Sequence, residues 1–516
     1  MSSLKKTALI ITIITILCKF LGFIREIILA YFYGTSYIVD SYLMASTIPI
    51  ILFGWLTAIA VAYTPIYTDI KTNISEEKSI KFTNTLITIV VVLGFLCSVF
   101  GVIFNKLIVS VTAPGFIGEV YEITAYFLKI SIWITMFNAT IQILAAYLNC
   151  NGHFIKSNLA NLAISSTQIL FIFISGMTNN SKILIYGVLT SNVLHLIIIY
   201  IFSSKINYKY KPNFEITQEI KNALIIVIPI FISSMIMQIN IFVDKTFASK
   251  LAEGSISALN YADRLNVFMY YVFTIAITTI IYPMLSQAVA EKNMNKVKNI
   301  FSKGTNIILI LFVPITIGAI ILARPAISFV FERGEFGNSS VMMTTSAFTM
   351  YSVGLLAVAL RDVITKVFYS MQETKSTLFI SALALALDII FNIILIKPMG
   401  HAGLALGTSL SAIITIPIFF IVLRKKIGAL GLKNTMILFI KSCISTAVMG
   451  IVVYFGFNWL SEIFGSGKLS ILLSILLSAG IGGIIYFVLM IILKVKEMDF
   501  FTDIIKKVVS KLVIRG

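Results

Sequence analysis

Fourteen apolar runs of twenty or more residues follow one another along this chain, and they decide what it can fold into. They cover 7–32, 38–66, 82–110, 118–149, 157–176, 182–203, 220–248, 256–286, 302–323, 340–371, 376–397, 402–424, 436–460 and 469–493. At a rise of about 1.5 Å per residue, each is long enough to cross a bilayer core as a helix. A segment inside lipid must satisfy its own backbone hydrogen bonds, and unbroken apolar runs of this length do so as helices. The chain is 58% hydrophobic and 12% charged, too poor in polar surface for a water-soluble globule. The expected fold is all-α and polytopic, with about fourteen transmembrane helices. The first run contains Lys19, Arg25 and Glu26 and no small-residue cleavage site, so it reads as a helix and not as a cleaved signal.

The runs are organised by an internal duplication. Pro65 in AYTPIYTDI pairs with Pro283 in IIYPMLSQA, and Thr190-Ser191 pairs with Thr408-Ser409, both at an offset of 218 residues. Near that offset FIREIILA, from Phe23, aligns with FVDKTFAS, from Phe242, which sets Arg25-Glu26 opposite Asp244-Lys245. Each copy holds six runs, an even number, so the copies share one orientation and a cavity is expected between them. The domains expected are a first lobe over 1–203, a basic linker over 204–221, a second lobe over 222–430, two unpaired helices over 431–494 and an interfacial helix over 495–516. In that last segment Phe500, Phe501, Ile504, Ile505, Val508 and Val509 recur at helical spacing with Lys506, Lys507 and Lys511 between them, the pattern of a helix lying on an anionic leaflet. Pro49, Pro65, Pro229, Pro283, Pro314 and Pro417 fall in or beside the runs, where a lost N–H permits a kink.

The net charge of +18 belongs to topology and not to nucleic acid. With both termini cytoplasmic, Lys71, Lys78, Lys81, Lys205, Lys209, Lys211, Lys292, Lys296, Lys298, Lys303, Arg424, Lys425 and Lys426 all fall in inner loops. The four cysteines and three histidines show no metal spacing. A GxxxxGK[ST] loop, HExxH and GxSxG are all missing, which excludes P-loop nucleotide hydrolysis and leaves an ion gradient, membrane potential or substrate gradient as the drive.

The charges inside the runs carry the functional signal, because each costs about 2.5–3.5 kcal/mol at mid-bilayer and must face protein or water. Lys19, Arg25, Glu26, Asp40 and Lys129 lie in the first copy; Arg264 and Arg361 lie in the second. Arginine forks suit phosphate oxygens, so a cationic cavity would take a phosphorylated or pyrophosphorylated substrate; internal neutralisation is the bland alternative. Asp362 and Lys366, four apart on one helix, are expected to pair. Asp388 and Asn392 share a helix face, and with Asp244 and Thr408 they would make an oxygen site for sodium or a proton.

The stretch KFLGFIREIILAYFYG (19–34) resembles the opening helix of the MurJ (MviN) lipid II flippases, and NYADRL (260–265), FERGEF (331–336) and HAGLALGTSLSA (401–412) are similar to that family's segments in the same order. The resemblance covers about residues 1–435 and implies a member of the multidrug/oligosaccharidyl-lipid/polysaccharide exporter superfamily. It implies transfer of undecaprenyl-pyrophosphate-linked peptidoglycan precursor from the inner to the outer leaflet. By matched position the essential cavity arginines fall on Arg25 and Arg264, the first-helix basic residue on Lys19, the acids on Glu26 and Asp40, and a sodium site on Asp244, Asp388, Asn392 and Thr408. The two unpaired helices correspond to the family's lipid-tail groove. One departure is plain: Phe53, Gly54 and Ala58 stand where the family often has two arginines and an acid, and Lys129 or Arg361 is the candidate replacement.

The resemblance therefore implies a flippase of the bacterial cytoplasmic membrane, monomeric, working with lipid II or a related polyprenyl-pyrophosphate glycolipid and the membrane lipids, with sodium as the candidate ion and no other cofactor. The alternatives are a flippase for an O-antigen or capsule unit, a multidrug exporter, which would want an anionic cavity, and a membrane glycosyltransferase. The last would need acidic or metal-binding surface loops, and the loop around 323–340 offers only Glu332 and Glu335.

Overall fold

A computed structural model describes residues 3–215, 217, 218, 220, 238–465 and 467–498. Among these residues every regular element is helical. The first span is α1 (Ser3–Tyr33), and the second is α2 (Tyr37–Phe53) with α3 (Trp55–Asn73). Then come α4 (Glu76–Ile103), the short α5 (Asn105–Thr112), α6 (Gly118–Ser131) with α7 (Ile134–Cys150), α8 (Phe154–Ala160) with α9 (Leu162–Met177), and α10 (Lys182–Ser204). In the second copy α11 covers the helical residues 238–248, followed by α12 (Ser255–Ala290), α13 (Met294–Ile321), α14 (Ala323–Phe331), α15 (Asn338–Val353) and α16 (Leu355–Ser370). The chain then runs through α17 (Thr374–Met399), α18 (His401–Ile427), α19 (Leu432–Phe464) and α20 (Lys468–Ile492).

Among the described residues nine helices, some continued across a short break, are long and apolar enough to cross a membrane, or twelve if each of three bent pairs is one span. The helix α1, of 31 residues, is the first expected span. Most of the seventh, 220–248, and nearly all of the interfacial helix expected over 495–516 lie outside the described residues, as does Pro229. The third expected run, 82–110, is divided: the long helix ends at Ile103 and α5 is a separate element. The element at the same offset in the second copy is α14, which begins at Ala323.

Among the described residues, three bends of more than 40° lie away from the prolines. The chain turns by 55° between α2 and α3 at Gly54, by 52° within α12 between Thr274 and Ile277, and by 43° between α15 and α16 at Gly354. Pro49, Pro65, Pro283, Pro314 and Pro417 all sit inside continuous helices. In a tightly packed bundle neighbouring side chains resatisfy a proline's freed carbonyl, so a proline need not break the helix.

The chain divides into two compact units, Met1–Tyr261 with Arg333–Ser340, and Ala262–Glu332 with Val341–Gly516. These units cut across the duplication, because the first takes α11, the first turns of α12 and residues 333–340 from the second copy. Packing inside each unit nonetheless repeats. In the first, α4 packs on α7, α9 on α10 and α7 on α10; in the second, α13 packs on α16, α17 on α18 and α16 on α18. Small residues bring the helices close: a Cβ on Gly94 would lie 2.7 Å from the Met136 Cα. Inside the second unit polar pins join the extra helices to α13: the Tyr486 hydroxyl lies 2.7 Å from Ser442 Oγ and donates to the Ile310 carbonyl at 2.9 Å.

The core of the first unit is an aromatic stack that reaches into the linker. Tyr63 stacks on Tyr67 and on Phe82, with centroids 5.1 and 5.8 Å apart, and Tyr147 meets Tyr208 at 5.0 Å. Tyr208, in the linker, is fully buried and donates to Asn84 Oδ1 at 2.7 Å. Asn213 Nδ2 donates to Thr85 at 2.8 Å, and Tyr210 and Thr88 share a hydrogen bond at 3.0 Å. Residues 205–215 therefore form a strap fastened along α4.

Candidate functional site

Within the first unit, three segments singled out in the sequence converge. The αL glycine Gly34 ends α1, and a Cβ there would lie 2.5 Å from the Glu335 carbonyl oxygen. Gly334, also αL, packs as closely on the Tyr31 carbonyl, which accepts from the Glu335 N–H at 2.9 Å. Tyr261, fully buried, donates to the Gly34 carbonyl at 3.1 Å and meets the buried Phe336 edge-on at 5.5 Å. Gly34 of KFLGFIREIILAYFYG and Gly334 of FERGEF are thus required by backbone-to-backbone contact.

About two and a half turns before Gly34 on α1, Arg25 heads a polar chain inside the bundle. Its guanidinium donates to Glu26, and its other terminal nitrogen donates to Gln168 Oε1 on α9 at 2.6 Å. Gln168 Nε2 passes the chain to Ser191 on α10 at 3.1 Å, and Asn260 Nδ2 on α12 donates to the far oxygen of Glu26 at 2.9 Å. Glu26 is 1% exposed and the Arg25 side chain 22% exposed, so the carboxylate is sealed while the arginine keeps an open edge. A buried carboxylate of this kind holds a guanidinium in place and leaves the remaining N–H groups of the fork free to point at a ligand. Gln168 was not singled out in the sequence; a glutamine inside the apolar run 157–176 was the available signal.

Asp40 has a different environment from the one its charge suggested. Its buried carboxylate accepts from the backbone N–H groups of Gly254 at 2.8 Å and Ser257 at 2.7 Å, at the start of α12. It satisfies orphan donors at a helix N-terminus, where the dipole favours negative charge. Lys245, within α11, donates to the Leu43 carbonyl at 3.1 Å and to Thr47, fixing α11 on α2. Asp244 is half-buried.

Three of the other cations are more open than Arg25. Lys19 and Lys129 are exposed on α1 and α6; Lys129 makes no ion pair or hydrogen bond among the described residues. In the second unit Arg264 is exposed and Arg361 half-exposed. An intramembrane cation with exposed surface must meet water or an anion. The expected Asp362–Lys366 pair is not formed: Asp362 accepts from the Tyr270 hydroxyl, and the Lys366 ammonium lies 5.6 Å over the Tyr282 ring. Both tyrosines come from α12, which offers each residue of the pair its own partner.

Asp388 and Asn392 are both fully buried on α17, and Asn392 Nδ2 donates to Asp388 at 3.3 Å. The helix α18 closes on them, since a Cβ at Gly407 would lie 2.5 Å from Asn392 Oδ1. Thr408 donates to the Leu404 carbonyl at 3.2 Å. The donors are all oxygen, with one carboxylate, a set that fits a hard monovalent cation. Among the described residues no three His, Cys, Asp or Glu residues cluster as metal ligands.

The family model described as lipid II flippase MurJ matches residues 29–501. A probable lipid II flippase MurJ of Buchnera aphidicola subsp. Schizaphis graminum is 27% identical over 523 residues, covering 97% of this chain and 99% of the relative. One from Rickettsia prowazekii is 27% identical over 419 residues, covering 80% and 82%. Among solved structures, a lipid II flippase MurJ in an inward closed conformation superposes with a TM-score of 0.81 at 24% identity, covering 96% of this chain and all of that one. An inward-facing multidrug resistance MATE family transporter of the MOP superfamily superposes at 0.68 with 14% identity, over 81% and 96%. These two likenesses are of fold. With nearly the whole chain matched by the family model, the protein is a multi-pass membrane protein that belongs to the lipid II flippase MurJ family.

Proposed function

We propose that this chain moves lipid II, or a closely related polyprenyl-pyrophosphate glycolipid, from the inner to the outer leaflet of the bacterial cytoplasmic membrane, with both termini cytoplasmic. The observation that carries the reading is Arg25, held by buried Glu26 and by Gln168 inside the bundle with one edge open. A guanidinium fixed by its carboxylate partner presents its remaining N–H donors to pyrophosphate oxygens, and the organic cations that a multidrug exporter takes carry no such acceptors. Lys19, Lys129, Arg264 and Arg361 are the proposed further contacts, with Lys129 or Arg361 standing in for the basic residues absent at Phe53 and Gly54. Asp40, in this reading, serves the site by fixing the start of α12 and so the position of Asn260 beside Glu26. Transport is driven by an ion gradient or the membrane potential, and a sodium ion would be held by Asp388, Asn392 and Thr408; Asp244 is the remaining proposed ligand. No covalent chemistry is required of the protein, which we take to act as a monomeric transporter.

The test is growth of a bacterium depleted of its own lipid II flippase. The wild-type chain should restore growth, and Arg25→Ala and Arg264→Ala should each fail while reaching the membrane at wild-type level. Full growth with Arg25→Ala would contradict the anion-site reading. Failure of the wild-type chain itself would favour an O-antigen or capsule lipid as substrate.

A further inference from the structure

A second basic site lies outside the Arg25 network, where the strap crosses the start of α4. A cavity of about 210 Å3 opens there between the end of α3, the first turns of α4 and residues 213–215. Lys78 and Lys81, three apart on one face of α4, stand at its mouth, and Glu215 faces them from the strap. Phe82 and Ile70, both buried, form an apolar wall, and Thr85 with Asn213 forms a floor whose hydrogen bonds are made internally. Lys81 pairs with exposed Glu77 at 3.1 Å, but Lys78 has no ion pair among the described residues.

Depth and side identify the ligand. Leu86, fully buried, begins the apolar stretch of α4 only five residues beyond Lys81, about 7 Å along the axis. The lysines are therefore at the level of lipid headgroups. Helix alternation puts the turn at 74–75 and the strap on one face, the face that Lys71, Lys205, Lys209 and Lys211 mark as inner. A cavity with two ammonium groups, one carboxylate and an apolar wall suits a phosphodiester that also bears hydroxyl or ammonium donors. We propose that this cavity is a binding site for the phosphodiester headgroup of an inner-leaflet anionic phospholipid. The phosphate lies between Lys78 and Lys81, headgroup donors meet Glu215, and the glycerol backbone packs on Phe82. A bound lipid then bridges α4 and the strap, so occupancy stiffens the linker between the two copies.

The experiment is native mass spectrometry of the purified full-length protein titrated with phosphatidylglycerol or phosphatidylcholine. Wild type should retain one phosphatidylglycerol tightly and bind phosphatidylcholine at least ten-fold more weakly. Lys78→Gln/Lys81→Gln should lose that preference by about ten-fold, with its thermal midpoint in lipid-free detergent unchanged. The control Lys209→Gln/Lys211→Gln, which removes the same charge outside the cavity, should behave as wild type. Equal retention by the cavity variant, or equal loss in the control, would overturn the site. Displacement by an equimolar excess of glycerol 3-phosphate would overturn the lipid assignment in favour of a soluble phosphate.

Discussion

At the scale of single residues, charge inside the membrane divides into groups tied by internal hydrogen bonds and groups that keep exposed surface. Asp40 is of the first kind. Asp40→Ala would leave two backbone N–H groups buried without acceptors, each worth about 1–3 kcal/mol. A fall in the thermal midpoint of several degrees is expected, with Asp40→Asn, which keeps one acceptor, falling less; equal midpoints for wild type and Asp40→Ala would show that the cap contributes nothing. Asp388 is the test of the ion. Sodium should raise the midpoint of the wild-type protein relative to choline at equal ionic strength, through preferential binding to the folded state, and Asp388→Asn should remove the rise. The same rise in the variant would place the ion elsewhere. From sequence, Arg25 and Glu26 could be read as charges out of place in a membrane, but their partners could not. Gln168 and Asn260 lie 143 and 234 residues away from the charges they bind, and only folding makes them neighbours.

At the scale of elements, apolar run length located the long helices because the bilayer fixes how much helix is needed to cross it. It could not separate α5 from α4, since an apolar helix lying against lipid has the same composition as one crossing it. Leu107 and Val111 on α5 are exposed, as are Ile103 and Phe104 just before it. Nor could it place the three bends of more than 40°, which lie at Gly54, Gly354 and residues 275–276. The glycines that mattered were those with a backbone opposite them. Gly94→Val should separate α4 from α7, because its new side chain would meet the Met136 backbone and not a movable side-chain tip. Such overpacking costs about 1–3 kcal/mol, so the variant should melt several degrees below wild type in detergent, whereas Gly480→Val, where a Cβ meets nothing, should melt with wild type. Equal midpoints for both variants would contradict the close packing.

At the scale of the whole molecule, the duplication was legible through Pro65 and Pro283 and through Thr190-Ser191 and Thr408-Ser409, and the helix pairs repeat accordingly. The division into compact units was not legible. Residues 238–261 and 333–340 belong by sequence to the second copy and by packing to the first unit, tied there by Asp40, Lys245, Gly34 and Tyr31. Local periodicity carries no information about such long-range ties. Because these ties fix Asn260 beside Glu26, the Arg25 network and the packing of the second copy's segments are one structure, and a change at either should reach the other. The most direct test of the central claim is the leaflet distribution of lipid II in cells whose own flippase has been removed, read with a membrane-impermeant reagent that cleaves exposed lipid II. Expression of the wild-type chain should make lipid II cleavable from outside and Arg25→Ala should leave it protected; lipid II that stays protected with the wild-type chain in the membrane would contradict the account.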